Sequence, residues 1–327
     1  MSRNILELRE LSVDYHMPSG DIHAVRKASL NVSEGQIFGI IGESGSGKST
    51  LGYAIPRLLP PYAIVRGGEI IIDGRDIVTL PESQLNEIRG KVLTYVPQGA
   101  QNALNPVFTV EHQIADPIRE HTHMSWKEAV RRARESLESV GVRRNRANQY
   151  PHQFSGGMKQ RALIALALAL NSKLVILDEP TTALDVLVQR QVFDLVKEIR
   201  SKFGTSFLLI SHDLAIVSTV CDMIAIMYAG EIVEMAPTRE IFGNPRHPYT
   251  RALISSLPKL NFADQDLEQI RGSPPNLSRL PTGCAFHPRC KYAVEKCTQV
   301  SPLLEDLDPN HAVACHRVKE LEKWKRQ

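Results

Sequence analysis

Residues 37–41 read Ile-Phe-Gly-Ile-Ile, and the stretch that follows reads Gly42-Glu43-Ser44-Gly45-Ser46-Gly47-Lys48-Ser49-Thr50. An apolar strand, a glycine loop closing on Gly-Lys-Ser and a helical start come in the order of a phosphate-binding loop. Glycines let successive backbone N–H groups curl around a β-phosphate, and the next helix offers its positive end. Lys48 is placed to reach the β- and γ-phosphates, and the Ser49 hydroxyl to ligate Mg²⁺. The loop predicts a nucleoside triphosphate site on Gly42, Ser44, Gly45, Ser46, Gly47, Lys48, Ser49 and Thr50.

A second cluster completes the chemistry. Leu174-Val175-Ile176-Leu177-Asp178-Glu179 is a buried-type strand ending in two carboxylates. Neighbouring strand residues point to opposite faces, so the two acids are expected to take different roles. Asp178 suits the Mg²⁺ partner that follows an apolar strand, which leaves Glu179 to polarise the attacking water.

Outward from these two strands, the first third reads as strands joined by turns at Ile5 to Tyr15, Ala24 to Val32 with Ala28, Leu30 and Val32 alternating, Gln36 to Ile41 and Gly68 to Ile72, which predicts a β-rich opening layer. From Ser125 the pattern turns helical. Ser125 is the N-cap, Glu128 its capping-box partner, Trp126, Val130, Ala133, Leu137 and Val140 form the apolar face, and Gly141 is the stop. Residues 99–155 read as a helical insertion. Beyond it, the runs Leu174 to Leu177, Phe207 to Ile210 and Met223 to Met227 alternate with helical patterns through Val188 to Ile199 and Leu214 to Val220, the rhythm of a parallel sheet with crossover helices. Past Ala236, prolines such as Pro245, Pro248, Pro274, Pro281, Pro288 and Pro302 predict a loop-rich extension.

Composition excludes several classes. The chain has 327 residues, 43% hydrophobic and 23% charged, enough for a sizeable core. With 39 Lys and Arg against 36 Asp and Glu there is no basic excess to drive binding along a nucleic acid backbone. The start of the chain has no apolar core of signal-peptide length, so the mature chain is expected to begin near Met1. The apolar run Ala162 to Leu170 reaches about half of the roughly 18 to 20 residues a membrane-crossing helix needs. No span is expected.

Phe154-Ser155-Gly156-Gly157-Met158, followed by Lys159-Gln160-Arg161, resembles the signature of the ATP-binding cassette (ABC) ATPases. Tyr15 is similar to the family's adenine-stacking aromatic, Gln98 to its loop glutamine, Ala183-Leu184-Asp185 to its dimer-contacting D-loop and His212 to its switch histidine. The resemblance implies an α/β phosphate-loop fold with an N-terminal antiparallel β layer, a helical insertion and a C-terminal extension. It implies ATP as substrate, catalytic roles for Glu179, His212 and Gln98, and Mg²⁺ held by Ser49, Gln98 and Asp178. It also implies that Ser155, Gly156 and Gly157 serve the ATP bound to a partner chain, so that two chains head to tail close two sites. Met158 departs from the glutamine common at that place, with little consequence, because the phosphate donors precede it.

Asn244-Pro245-Arg246-His247-Pro248-Tyr249-Thr250-Arg251-Ala252-Leu253 resembles the C-terminal hallmark of the oligopeptide/dipeptide importer ATPase subunits, as do Tyr150-Pro151-His152-Gln153 and Gly283 through Cys290. This implies a cassette over residues 1–237 and an extension over 238–327. The implied place is peripheral, on the cytoplasmic face of the membrane under two transmembrane permease subunits, beside a paralogous ATPase subunit more readily than an identical one. The resemblance also implies an extracellular solute-binding protein that delivers the cargo, and no nucleic acid partner is expected. Relatives of this build also import oligosaccharides or nickel, and a competing class is a soluble, non-transport ABC ATPase with a redox or nucleic-acid-binding tail. Residues 98–106, where transporters of the family meet a permease helix, discriminate the two.

Cys284, Cys290, Cys297 and Cys315 are spaced C-x5-C-x6-C-x17-C, and Cys221 stands apart in an apolar stretch as a core residue. A local cluster in a chain with no export signal reads as a metal or cluster site in a reducing compartment. Four thiolates can hold tetrahedral Zn²⁺ or a cubane, and the spacing alone does not choose. The resemblance implies [4Fe-4S], with Zn²⁺ or unliganded thiols as alternatives and His287, His311 and His316 as bystanders. Being far along the chain from Lys48, Glu179 and His212, the four cysteines are expected to brace the extension and to stay out of hydrolysis.

Overall fold

The apolar runs around the phosphate loop become strands in the computed structural model, which describes residues 3–321 except 19, 100–102, 183, 257–269 and 271. In chain order the first half forms β1 (Asn4–Met17), β2 (Gly20–Ser33), β3 (Ile37–Ile41), α1 (Lys48–Ala54), β4 (Ala63–Ile72), β5 (Arg75–Asp76), α2 (Glu82–Ile88), β6 (Leu93–Val96), α3 (Val110–Thr122), α4 (Trp126–Ser139) and α5 (Gly156–Leu168). The second half forms β7 (Leu174–Asp178), α6 (Val186–Phe203), β8 (Ser206–Ser211), α7 (Leu214–Val220), β9 (Met223–Tyr228), β10 (Glu231–Pro237), α8 (Thr238–Gly243), α9 (Pro248–Ser255), α10 (Glu295–Gln299), β11 (Glu305–Asp308), β12 (His311–Val313) and α11 (Val318–Leu321). Among the described residues no helix is long and apolar enough to cross a membrane.

The chain folds as two compact units. Unit one comprises Met1–Glu7, Asn31–Ile37 and Ile70–Ile210. Its centre is β7, paired in parallel with β6 (Leu93↔Leu174 to Val96↔Leu177) and with β8 (Leu174↔Ser206 to Asp178↔Ile210). All five β7 residues are buried, as expected for a parallel strand covered on both faces. The end of β4 pairs antiparallel with β5. In the helical part of this unit, α3, α4 and α5 pack on one another. Ser125 caps α4, and the reciprocal bond runs from the Ser125 amide to Glu128 Oε2 at 3.0 Å. The buried stripe of α4 is Ala129, Ala133 and Leu137, whereas Trp126 stays partly exposed against His112, ring centres 4.7 Å apart. The expected apolar face thus holds for its C-terminal part only. At the first turn, aromatic contact replaces burial.

Unit two comprises Leu8–Leu30, Phe38–Glu69 and Ser211–Gln327. Its β2, β1 and β4 segments lie side by side in that order. A second sheet runs β11-β12-β10-β9-β3. Here β3 is parallel to β9 (Phe38↔Met223 to Ile41↔Ile226), and β10 is antiparallel to both β9 and β12. The tail is loop-rich, and two short strands in it go beyond that expectation: β11 and β12 continue the sheet, with Glu234↔Val313 and Met235↔Ala312 in register. One buried carboxylate joins these pieces. Glu234 accepts from the amides of Arg246 (2.7 Å) and His247 (2.9 Å) and from His311 Nε2 (2.8 Å). Burial pushes His247 down to about 4, so its neutral Nδ1 accepts the Tyr249 amide at the head of α9.

Removing the Glu234 carboxylate strands three donors in the interior. Glu234→Ala is expected to cost at least about 2 kcal/mol in urea unfolding, with Glu234→Gln milder, because an unsatisfied buried donor costs about 1 to 3 kcal/mol. Equal stability of the Ala variant and the native chain would refute this role.

Candidate functional site

The phosphate loop lies in unit two, between β3 and α1. Two of its glycines have no alternative. A Cβ on Gly42 would sit 2.2 Å from the Met227 carbonyl oxygen, and one on Gly47, at φ 97°, 2.2 Å from that of Ala24. Both obstacles are backbone and cannot swing aside. Buried Lys48 folds back over the loop, its Nζ donating to the carbonyls of Gly42 and Glu43 at 2.8 Å each and to Ser46 Oγ at 3.3 Å. The ammonium is therefore carried by the loop main chain itself, where an incoming anion would meet it. Ser44 and Gly45 are exposed, Ser49 and Thr50 half-buried. Thr50 Oγ1 lies 3.2 Å from the Tyr15 hydroxyl, and the Tyr15 ring leans on Tyr62 at 5.9 Å. His212 is exposed directly after β8 and before Asp213, whose carboxylate caps α7 by accepting the Ile216 amide at 3.1 Å.

Unit one carries the carboxylates and the signature. Asp178 ends β7 fully buried and accepts a hydrogen bond from the Tyr95 hydroxyl at 3.0 Å. Sequence reasoning missed Tyr95, which carries no signal beyond being a polar-tipped residue in the neighbouring strand. Glu179 parts from Asp178 for a reason other than strand alternation. The strand has ended, and Glu179 stands at φ 45°, a left-handed conformation strained for a residue with a side chain. Its amide donates to the Ile210 carbonyl at 2.9 Å, and its Oε2 accepts from Thr182 Oγ1 at 3.0 Å. Gln98 is exposed just past β6. Ala183, of the expected dimer-contacting loop, and residues 100–102, of the expected permease-facing stretch, lie outside the described residues.

Ser155 is the N-cap of α5, its Oγ accepting the Met158 amide at 3.4 Å. Gly156 opens the helix. A Cβ on Gly157 would lie 2.6 Å from Val188 Cγ1 on α6, so a side chain there would force the two helices apart. Asp185 caps α6 through the Val188 amide at 2.9 Å, and the next residues, Val186 and Leu187, are 79% and 75% exposed.

The four tail cysteines line one small cavity in unit two with Phe286, Tyr292 and Pro302. The backbone N–H groups of Phe286, Tyr292 and Arg317 bond to the sulfurs of Cys284, Cys290 and Cys315, each from two residues on. Burial pushes Cys284 up to about 12 and Cys315 up to about 11, and raises Cys290 as well, so these thiols are protonated at neutral pH and must lose protons to bind a metal. Among the described residues no three His, Cys, Asp or Glu side chains converge tightly enough to grip a single ion. Cys221 is buried in the core, its Sγ 3.0 Å from where a Gly39 Cβ would stand, and burial raises its thiol too.

Remoteness from the Lys48 loop along the chain does not hold in space. Arg289, next to Cys290, pairs with Glu43 of the phosphate loop at 3.0 Å across 246 residues of sequence. Nothing in the spacing of the two segments announces that contact.

Known proteins are similar to this chain along most of its length. The family model described as "ABC transporter" matches residues 25–182, and that described as "Oligopeptide/dipeptide transporter, C-terminal region" matches residues 233–297. The oligopeptide transport ATP-binding protein OppD of Escherichia coli is 40% identical, covering 97% of this chain and 94% of that protein, and OppD of Bacillus subtilis is 42% identical over 94% and 87%. Among solved structures, a dimeric ATP-binding cassette bound to ADP and phosphate after hydrolysis has a TM-score of 0.65 at 30% identity, over 72% of this chain and 99% of that one. A cassette of the cbiONQ transporter complex of Clostridium perfringens has a TM-score of 0.63 at 26% identity, over 74% and 91%. With relatives of this likeness along almost its whole length, the chain belongs to the ABC transporter ATPases, in the family of the oligopeptide transport ATP-binding proteins.

Proposed function

We propose that this chain is the ATP-hydrolysing subunit that powers import of oligopeptides or dipeptides, seated peripherally on the cytoplasmic face of the membrane. The observation that carries the reading is the continuity of its likeness to the OppD proteins, from the phosphate loop through the tail. Its partners are two permease subunits, an extracellular solute-binding protein and a second ATPase subunit, a paralogue in preference to a copy. Exposed Val186 and Leu187, beside the expected dimer-contacting loop, support a chain-to-chain contact. The match of separate family models to residues 25–182 and 233–297 supports a cassette over 1–237 followed by an extension over 238–327.

The residues divide the work. Backbone N–H groups of Gly42 to Gly47 bind the β-phosphate of ATP, Lys48 meets the β- and γ-oxygens, Thr50 lies beside them, and Tyr15 stacks on adenine. Ser49, Asp178 and Gln98 would hold Mg²⁺, which when bound neutralises charge on the phosphate oxygens. The hydroxyl of Ser49 and the carboxylate of Asp178, fixed by Tyr95, are the hard oxygen donors that ion takes. Glu179 orients and deprotonates the attacking water, and His212 steadies the γ-phosphate side. The amides of Gly156 and Gly157 and the Ser155 hydroxyl meet the transition-state charge on the ATP of the partner subunit.

For the tail we propose a [4Fe-4S] cluster on Cys284, Cys290, Cys297 and Cys315. Four thiols spread around one apolar cavity, three of them taking amide hydrogen bonds, fit a group wider than one ion. Such a cluster, when bound, would tie the four tail segments together through its irons.

Glu179→Gln is expected to keep ATP binding while turnover falls at least about a hundredfold, the scale of a lost general base, as read by a phosphate-release assay. Hydrolysis at the native rate would remove Glu179 from that role. The transport reading is tested by expressing the chain with its permease and binding-protein partners in proteoliposomes. Peptide uptake that needs ATP supports it, and ATP-dependent uptake of a sugar or nickel alone overturns the choice of solute. Anaerobically purified protein should absorb near about 400 nm and carry about four irons per chain, whereas bound zinc would leave it colourless. Metal analysis finding neither ends the cluster proposal.

A further inference from the structure

Glu43 is the residue that follows Gly42 in the phosphate loop, and its carbonyl, its amide and its carboxylate are each held. Its carbonyl takes the Lys48 ammonium at 2.8 Å. Its amide donates to the Tyr249 hydroxyl on α9 at 3.1 Å. Its carboxylate accepts from both arms of Arg289, at 3.0 and 3.3 Å.

Arg289 is itself held on all sides. Its side chain is 7% exposed, it donates to the Tyr228 hydroxyl at 3.2 Å and to the Gly272 carbonyl at 3.4 Å, and its guanidinium stands 5.7 Å over the Tyr228 ring. Phe286 meets Tyr228 edge-on at 5.2 Å and Tyr249 at 5.4 Å, closing an aromatic box. The segment that carries Arg289 is a tight turn strung between two cysteines. The Phe286 amide bonds to the Cys284 sulfur, Arg289 N donates to the Phe286 carbonyl at 3.0 Å, and Cys290 N donates to that of His287 at 3.2 Å. Two chain regions in the extension thus converge on one loop residue, which also carries the phosphate-binding lysine.

We propose that Arg289 and Tyr249 are positioning residues of the phosphate loop, so that nucleotide affinity depends on the folded state of the four-cysteine segment. Neither touches nucleotide. They act by fixing the Glu43 peptide, which presents one carbonyl to Lys48 and leads into the loop amides. Arg supplies what the site asks for: a planar fork that meets a carboxylate with two parallel bonds, which Lys cannot do. Linkage makes the effect reciprocal, so nucleotide bound at the loop should in turn protect the turn between Cys284 and Cys290.

The inference rests on Gly42 to Thr50 being the nucleotide site, and one titration separates the two ideas. The dissociation constant of a fluorescent ADP analogue is measured on the full-length chain purified anaerobically, with circular dichroism to certify folding. Arg289→Met and Glu43→Gln are each expected to weaken binding about fivefold to twentyfold, as befits a lost charge-assisted bond, and the double variant no further than the weaker single. Arg289→Lys should fall between Arg289→Met and the native chain. Tyr249→Phe, which removes only a hydroxyl, and Cys290→Ser, which frees one end of the turn, should shift affinity in the same direction. Native affinity in folded Arg289→Met and Tyr249→Phe would overturn the positioning roles, as would additive losses in the double variant. A native chain that binds no nucleotide would overturn the nucleotide site itself.

Discussion

At both ends of the phosphate loop the backbone leaves no room for a side chain, and two carbonyl groups enforce it. Met227 O and Ala24 O stand where any Cβ on Gly42 or Gly47 would have to go. They belong to β9 and β2, so the loop is shaped by neighbouring strands as much as by its own glycines. The parallel pairing of β3 with β9 brings the Met227 carbonyl under the loop, and burial of all five β3 residues holds that pairing. Lys48 can then fold back on the loop carbonyls. Core packing, loop conformation and the place of one ammonium are successive consequences of the same close approach.

Features that live in local sequence were legible. The strands around the phosphate loop, the capping box at Ser125 and the β7-α6-β8-α7-β9 alternation all rest on spacing or on residue types that act on near neighbours. The short strands of the tail were not legible, because β12 has three residues and is a strand only by virtue of β10 beside it. A strand so short has no period to read, and the prolines around it point to loops.

The candidate site divides in the same way. Lys48, Asp178 and Ser155 sit in motifs whose spacing carries their chemistry. Tyr95 and Arg289 act through partners 83 and 246 residues away, and contacts at that distance leave no local trace. Glu179 is an intermediate case. Its separation from Asp178 was readable, but strand alternation is not the cause, since the backbone turns left-handed at that residue. Strain of that kind depends on what surrounds it, here the Ile210 carbonyl and Thr182, and persists because those contacts over-determine it.

The tail strands also decide where the sheet of unit two stops. Without β12, β10 would offer its own row of open N–H and C=O groups, an invitation for another chain to pair. With the tail in place the outermost strand is β11, which reads Glu305-Asp306-Leu307-Asp308 and is largely exposed. Three carboxylates on so short an edge would meet three more on any identical edge brought alongside. The border of this sheet is thus guarded by its own charge against stacking into open-ended ribbons.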